Sequence, residues 1–204
     1  MKNWTALAVY LRWIWARKAG WRGQLARRRY AVDEEAFSQE VASLSTPYRL
    51  AAYTETRLAE EPSSWLDPPL PAVVTWARGR AGAPDMARFA QEVMARHGLD
   101  AQLMMVLTPP LGMRKRPPRG GELAADPLLT EALRHPRHWQ GHLVCAILDP
   151  EAGGWFHFST WGMFGLYRDW DDIADDISPR WAAYARWDHR LRWQGWRRRA
   201  QPVL

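Results

Sequence analysis

Hydrophobic positions recur along this chain with two different periods. In the first twenty residues Trp4, Leu7, Ala8, Leu11, Ile14 and Trp15 keep helical spacing, while Arg12, Arg17 and Lys18 lie off that stripe. The pattern predicts an amphipathic helix. A second helix is expected over residues 33–43. A third follows in "LSTPYRLAAYTETRLAEE", with Ser45 or Thr46 as its N-cap and Pro47 in its first turn, where proline's fixed φ is tolerated. The proline-rich "PSSWLDPPLP" reads as a connection. From about Pro84 to His97 the chain returns to helical period, with Met86, Phe89, Ala90, Val93 and Met94 on one side and Gly98 as the stop.

Beyond Gly98 the pattern changes to that of strands. "DAQLMMVLT" is a short, nearly unbroken apolar run, as a buried strand requires. "PPLGMRKRPPRGGELAAD" holds too much Pro and Gly for regular structure, and "PLLTEALRHPRHW" predicts a short helix. "GHLVCAIL" and "GWFHFSTW" predict two strands joined by "DPEAGG" as a β-hairpin. The order is helices first and strands afterwards, which predicts an α+β fold.

Composition changes the picture at two points. The 204 residues include 14 tryptophans and one cysteine. So much Trp surface requires a core or a partner to cover it, and a single cysteine excludes an internal disulfide, a Cys-rich zinc site and a CxxC redox pair. A reducing compartment follows as the expectation. The charge is also uneven: residues 1–30 hold eight Lys/Arg and no acid, and residues 180–204 hold seven Arg against Asp188. The middle of the chain is net acidic, so two basic, Trp-rich ends flank an acidic body. The first apolar run is broken by Arg12 and is too short to span a bilayer.

The stretches "LSTPYRLAAYTETRL", "RGRAGAPDMARFAQEVMARHG" and "GHLVCAILDPEAGGWFHFSTWG", in that order over about residues 44–177, resemble the bacterial transglutaminase-like cysteine peptidases. The resemblance implies a papain-like core in which a central helix packs on an antiparallel sheet. It also implies a cysteine at the N-terminus of that helix, a histidine opening a later strand, and an Asp or Asn ending the strand after it. The helix dipole and the imidazole together favour thiolate at such a position. On this sequence Gly82 falls at the family's glycine, Pro84 at the cysteine, His142 at the histidine, and Ser159 or Thr160 near the carboxylate. Proline has no reactive atom, so the resemblance implies a fold kept and a nucleophile lost. No catalytic residue is expected, only the remnant positions Pro84, His142, Ser159 and Thr160.

Two features of the chain could substitute for the lost chemistry, and each has a blander reading. Cys145 lies three residues after His142 in one predicted strand, which turns the two to opposite faces. It is expected in the core. His135, His138, His142 and His157 are close in sequence, but Pro136 and Gly141 interrupt any single helix and no acid is interleaved. No metal and no cofactor are expected.

The expected organisation is a basic, Trp-rich helical extension over 1–43, a transglutaminase-like domain over 44–179 and a basic Trp/Arg tail over 180–204. Trp4, Leu11, Trp13, Trp15, Arg17, Trp193, Trp196, Arg197 and Arg198 are the expected partner-binding residues, on ends that can be removed without unfolding the body. The function expected is that of a non-catalytic structural or adaptor subunit in a larger assembly. Its setting is cytoplasmic, with peripheral attachment to the inner face of a membrane through anionic headgroups as a variant. An active peptidase or acyl transferase with a displaced site is the alternative, and a nucleic-acid-binding accessory role, with Trp193 and Trp196 stacking on bases, is the second.

Overall fold

The computed structural model describes residues 14–108 and 140–199. Trp4, Leu11, Trp13, His135, His138, the Pro/Gly-rich stretch and the short helix expected after it lie outside those residues. Helix α1 spans Ala16–Tyr30, α2 Glu34–Val41 and α3 Pro47–Arg57. Asp33 caps α2 by accepting from the backbone N–H groups of Glu35 and Ala36, and Thr46 caps α3 by accepting from that of Arg49. Both caps satisfy donors that a helix start leaves open. Strands β1 (Ala59–Glu60) and β2 (Arg80–Ala81) form a two-residue parallel pair on either side of α4 (Ala72–Arg78). That pair draws the connection 62–71 against the start of α5, Ala83–Arg96.

The expected apolar side of α5 is buried at every position, Met86, Phe89, Ala90, Val93 and Met94. Gly98 follows with φ 79°, a conformation that favours glycine. Strands β3 (Ala101–Thr108), β4 (Gln140–Asp149) and β5 (Gly154–Ser159) match the expected strands. In the β4–β5 turn, Asp149 Oδ1 accepts from the N–H groups of Glu151 and Ala152.

Four further elements complete the fold: β6 (Gly162–Tyr167), α6 (Trp170–Ile177), β7 (Ala183–Trp187) and β8 (Trp193–Arg198). The strands form one antiparallel sheet in the order β6-β5-β4-β3-β7-β8. The fold is α+β. Alternation along β4 sends Leu143, Cys145 and Ile147 to the face covered by α5, and Val144 and Ala146 to the face covered by α6. Gln91, fully buried on α5, donates to the carbonyls of Ala101 and Trp187 and so ties the helix to both β3 and β7.

The C-terminal end is therefore not a tail. β7 pairs with β3 through five residues, and β8 pairs with β7. Trp15, expected to meet a partner, is fully buried and packs at a tilt on Trp187 with ring centroids 4.8 Å apart. Trp193 meets Trp187 edge-on at 5.6 Å, and Trp193 and Trp196 pack partly buried on the same core. The physical reason is cover: a Trp buries about 150–250 Å², and the sheet offers that cover from within the chain. The basic and acidic segments also pair with each other, as Arg197 with Asp171 at 2.6 Å and Arg199 with Asp175 at 2.8 Å. Arg186 lies over the Trp170 ring at 4.5 Å.

Candidate functional site

A cavity of about 280 Å³ opens where β4 begins, β5 ends and α5 starts. Its walls include Ala83, His142, Ser159, Thr160, His157 and Asp176. Three of the four expected remnant positions thus share one cavity, and the helix end beside them contributes Ala83. Pro84 is buried in the first turn of α5 and is not part of the wall. The helix position facing the cavity is therefore one residue earlier than the resemblance implied, and its side chain is a methyl group.

His142 reaches the cavity from the α6 side of the sheet. It pairs across the ladder with Val106, which belongs to the α6-side core. On the α5 side the neighbouring position is Gly141, and a Cβ there would lie 2.5 Å from the Trp65 ring. Trp65 belongs to the connection 62–71, so an indole from that connection packs against the start of β4. Ser63 from the same connection accepts from the Ala83 N–H at 3.0 Å and caps the helix. Sequence reasoning treated this segment as a plain linker. Its signal was a Trp set among prolines next to a glycine-opened strand.

The cavity holds two imidazoles. Burial lowers the pKa of His142 and pushes that of His157 down to about 4, the nearby Asp176 charge opposing the shift without cancelling it. Both are neutral at pH 7. His157 is 3 % exposed and stacks with the rings of Phe164 at 5.1 Å and Tyr167 at 5.5 Å. Its Nδ1 stands 3.9 Å from Asp176 Oδ2, beyond hydrogen-bond range, and has no partner. Asp176 accepts from the Tyr167 hydroxyl at 2.6 Å. Ser159 Oγ accepts from the Trp161 N–H at 3.1 Å and so holds the β5–β6 turn. Trp161 itself is 69 % exposed at the rim, 6.2 Å from His142.

Cys145 sits in the core as expected, fully buried, with its thiol pKa raised by that burial. Among the described residues no group of three or more His, Cys, Asp or Glu is placed to hold a metal ion. No helix among them is long and apolar enough to cross a membrane.

A second surface feature belongs to α1. Its small residues Ala19 and Gly23 face the core. Ile14, Trp21 and Leu25 are 42 %, 67 % and 46 % exposed. At about 100° per residue Trp21 and Leu25 fall about 40° apart around α1, with Arg17 and Arg28 on one border and Lys18 and Arg29 on the other, and Ile14 is exposed in the π-helical turn that precedes the helix. Ile14 and Trp15 are thus separated, one facing out and the other in, where the sequence suggested a common stripe.

Compared with known proteins, no family model matches this chain and no curated protein matches it.

Proposed function

We propose that the chain is a non-catalytic, transglutaminase-like domain that serves as a structural or adaptor subunit of a larger assembly at an anionic surface. One observation carries the attachment: α1 presents exposed Trp21 and Leu25, with exposed Ile14 in the turn before it, bordered on both sides by Lys and Arg, with no acid in the helix. A helix of this kind binds by burying its apolar stripe while its cations meet negative headgroups or carboxylates. The non-catalytic part of the reading is supported by Ala83 at the cavity wall, by Trp65 beside Gly141, and by the placement of the one thiol in the core. The papain-like relationship is part of this proposal and rests on the order of helix, strand and hairpin.

The attachment surface differs from the one read from sequence. Trp15, Trp193 and Trp196 are engaged with the protein's own core, and Arg197 with Asp171. Arg17 remains on the exposed border. Co-purification from the native cell tests the role. The intact chain brings down its assembly, Trp21→Glu/Leu25→Glu does not, and retention of the same partners by that variant overturns the reading.

A further inference from the structure

We infer that the edge of the sheet at β6 is the contact through which two copies of this chain form a two-fold dimer, with Trp161, Phe164, Leu166 and the α3 residue Tyr48 at its centre. These residues are not those of the α1 surface, and the contact does not depend on how the chain is attached.

The first ground is where exposed apolar side chains fall. Apart from Ile14, Trp21 and Leu25, the large hydrophobic residues left exposed among the described residues are Tyr48, Trp161, Phe164 and Leu166. They gather at one edge. Trp161 and Phe164 flank the cavity, Leu166 follows on the same strand, and Tyr48 lies 6.1 Å from Phe156, the β5 partner of Gly165. Each is anchored: the Trp161 N–H is held by Ser159, Phe164 stacks on His157, and Tyr48 sits in the first turn of α3 behind the Thr46 cap. Side chains anchored in this way lose less entropy on association.

The second ground is the contrast between the two edges of the sheet. β8 carries two arginines in "WQGWRR", and charged side chains guard an edge against pairing, whereas β6 reads "GMFGLY", with no charge and no proline. A bulge leaves Leu166 without a partner on β5 and interrupts the ladder there. It also adds an exposed apolar side chain to that edge.

Charge and area select a second copy as the occupant. A two-fold axis sets a patch against itself, so a charged patch repels its own copy. Residues 161–167 are uncharged, whereas α1 is cationic and would repel its copy. Antiparallel apposition about Phe164 and Gly165 brings Arg168 of one protomer beside Trp161 of its partner. Both are exposed, and a guanidinium over an indole face is favourable. At about 150–250 Å² per aromatic side chain, the exposed fractions of the patch amount to about 400 Å² per copy and about 800 Å² in a dimer. Specific interfaces bury about 1,200–2,000 Å² in total, rather more than half of it apolar, so the patch supplies the apolar area that a dimer requires.

Sedimentation velocity of the full chain over a concentration series tests the dimer. Dimer is expected to predominate by about 200 μM, as a contact of this size implies. Phe164→Lys/Leu166→Lys sets cations opposite one another across the two-fold and is expected to stay monomeric throughout. Trp161→Ala is expected to weaken association by at least about tenfold and, because Trp161 is exposed, to leave the fold unchanged. Trp21→Glu/Leu25→Glu is expected to dimerise as the wild type does, which separates this contact from the α1 attachment. A wild-type chain still monomeric at about 200 μM overturns the inference. So does undiminished association of Trp161→Ala or of a folded Phe164→Lys/Leu166→Lys, loss of the dimer in Trp21→Glu/Leu25→Glu, or assembly that continues past the dimer.

Discussion

His157 shows what a single residue in this fold costs and controls. Its folded pKa is about 4 against an ordinary 6.5. Between those values the unfolded chain binds the proton and the folded chain does not, so stability is full above about pH 6.5 and falls as pH drops toward 4. The shift corresponds to about 3 kcal/mol at most. Chemical denaturation of the wild type and His157→Gln across pH 4 to 7 checks this: the difference in stability between them changes with pH in that window, and a constant difference contradicts it. Gln91 makes a complementary prediction. Gln91→Ala leaves the buried carbonyls of Ala101 and Trp187 without their shared donor, and the expected loss is about 1–3 kcal/mol in a denaturant titration.

At the scale of elements, the junction of α1 with β7 sets the boundary of the folded unit. Trp15 and Trp187 are both fully buried and meet each other within the same core. Trp15→Ala is expected to cost about 3–5 kcal/mol, the range for a buried aromatic cut to alanine. Deletion of residues 187–204 removes β8 and the last residue of β7, so it yields an unfolded or aggregated product by circular dichroism, not a soluble body. A cooperatively folded truncation contradicts the topology.

Much of this was legible in the chain. The α5 pattern, the Thr46 cap, the strands β3 to β5 and their hairpin follow from local period and turn chemistry, whereas Asp33 caps the helix that was expected to begin at it. The signals beyond position 161 are equally local. Asp169 precedes Trp170, Ile173, Ala174 and Ile177, an N-cap followed by i, i+3, i+4, i+7 spacing, and Ala183, Ala185 and Trp187 alternate with Tyr184 and Arg186. Arginine and tryptophan density there suggested a partner-binding tail, and the pairing of Arg197 and Arg199 with carboxylates of α6 shows how such arginines lie along a sheet. The cavity was half legible. His142 and Ser159 were placed at it by the order of elements, whereas Asp176 comes from a helix that local pattern had not been used to find. Ala83 and Trp65 depended on which way one helix turn and one linker face, which spacing alone does not determine.

For the molecule as a whole, the decisive contrast lies between its core and its α1 surface. Fourteen tryptophans suggested a large sticky surface, yet Trp15, Trp181 and Trp187 are buried. Trp21 remains exposed on a helix face that no described element covers in full, beside Ile14 and Leu25. Because these side chains are exposed, Trp21→Glu/Leu25→Glu is expected to leave the thermal unfolding midpoint nearly unchanged, within the small effects usual for surface substitutions. The measurement that bears most directly on the account is flotation of the full chain with lipid vesicles, anionic against zwitterionic, at low and high salt. The account predicts flotation with anionic vesicles, weakened by salt and lost in Trp21→Glu/Leu25→Glu. A chain that stays in the soluble fraction with anionic vesicles, or a variant that floats as well as the wild type, contradicts it.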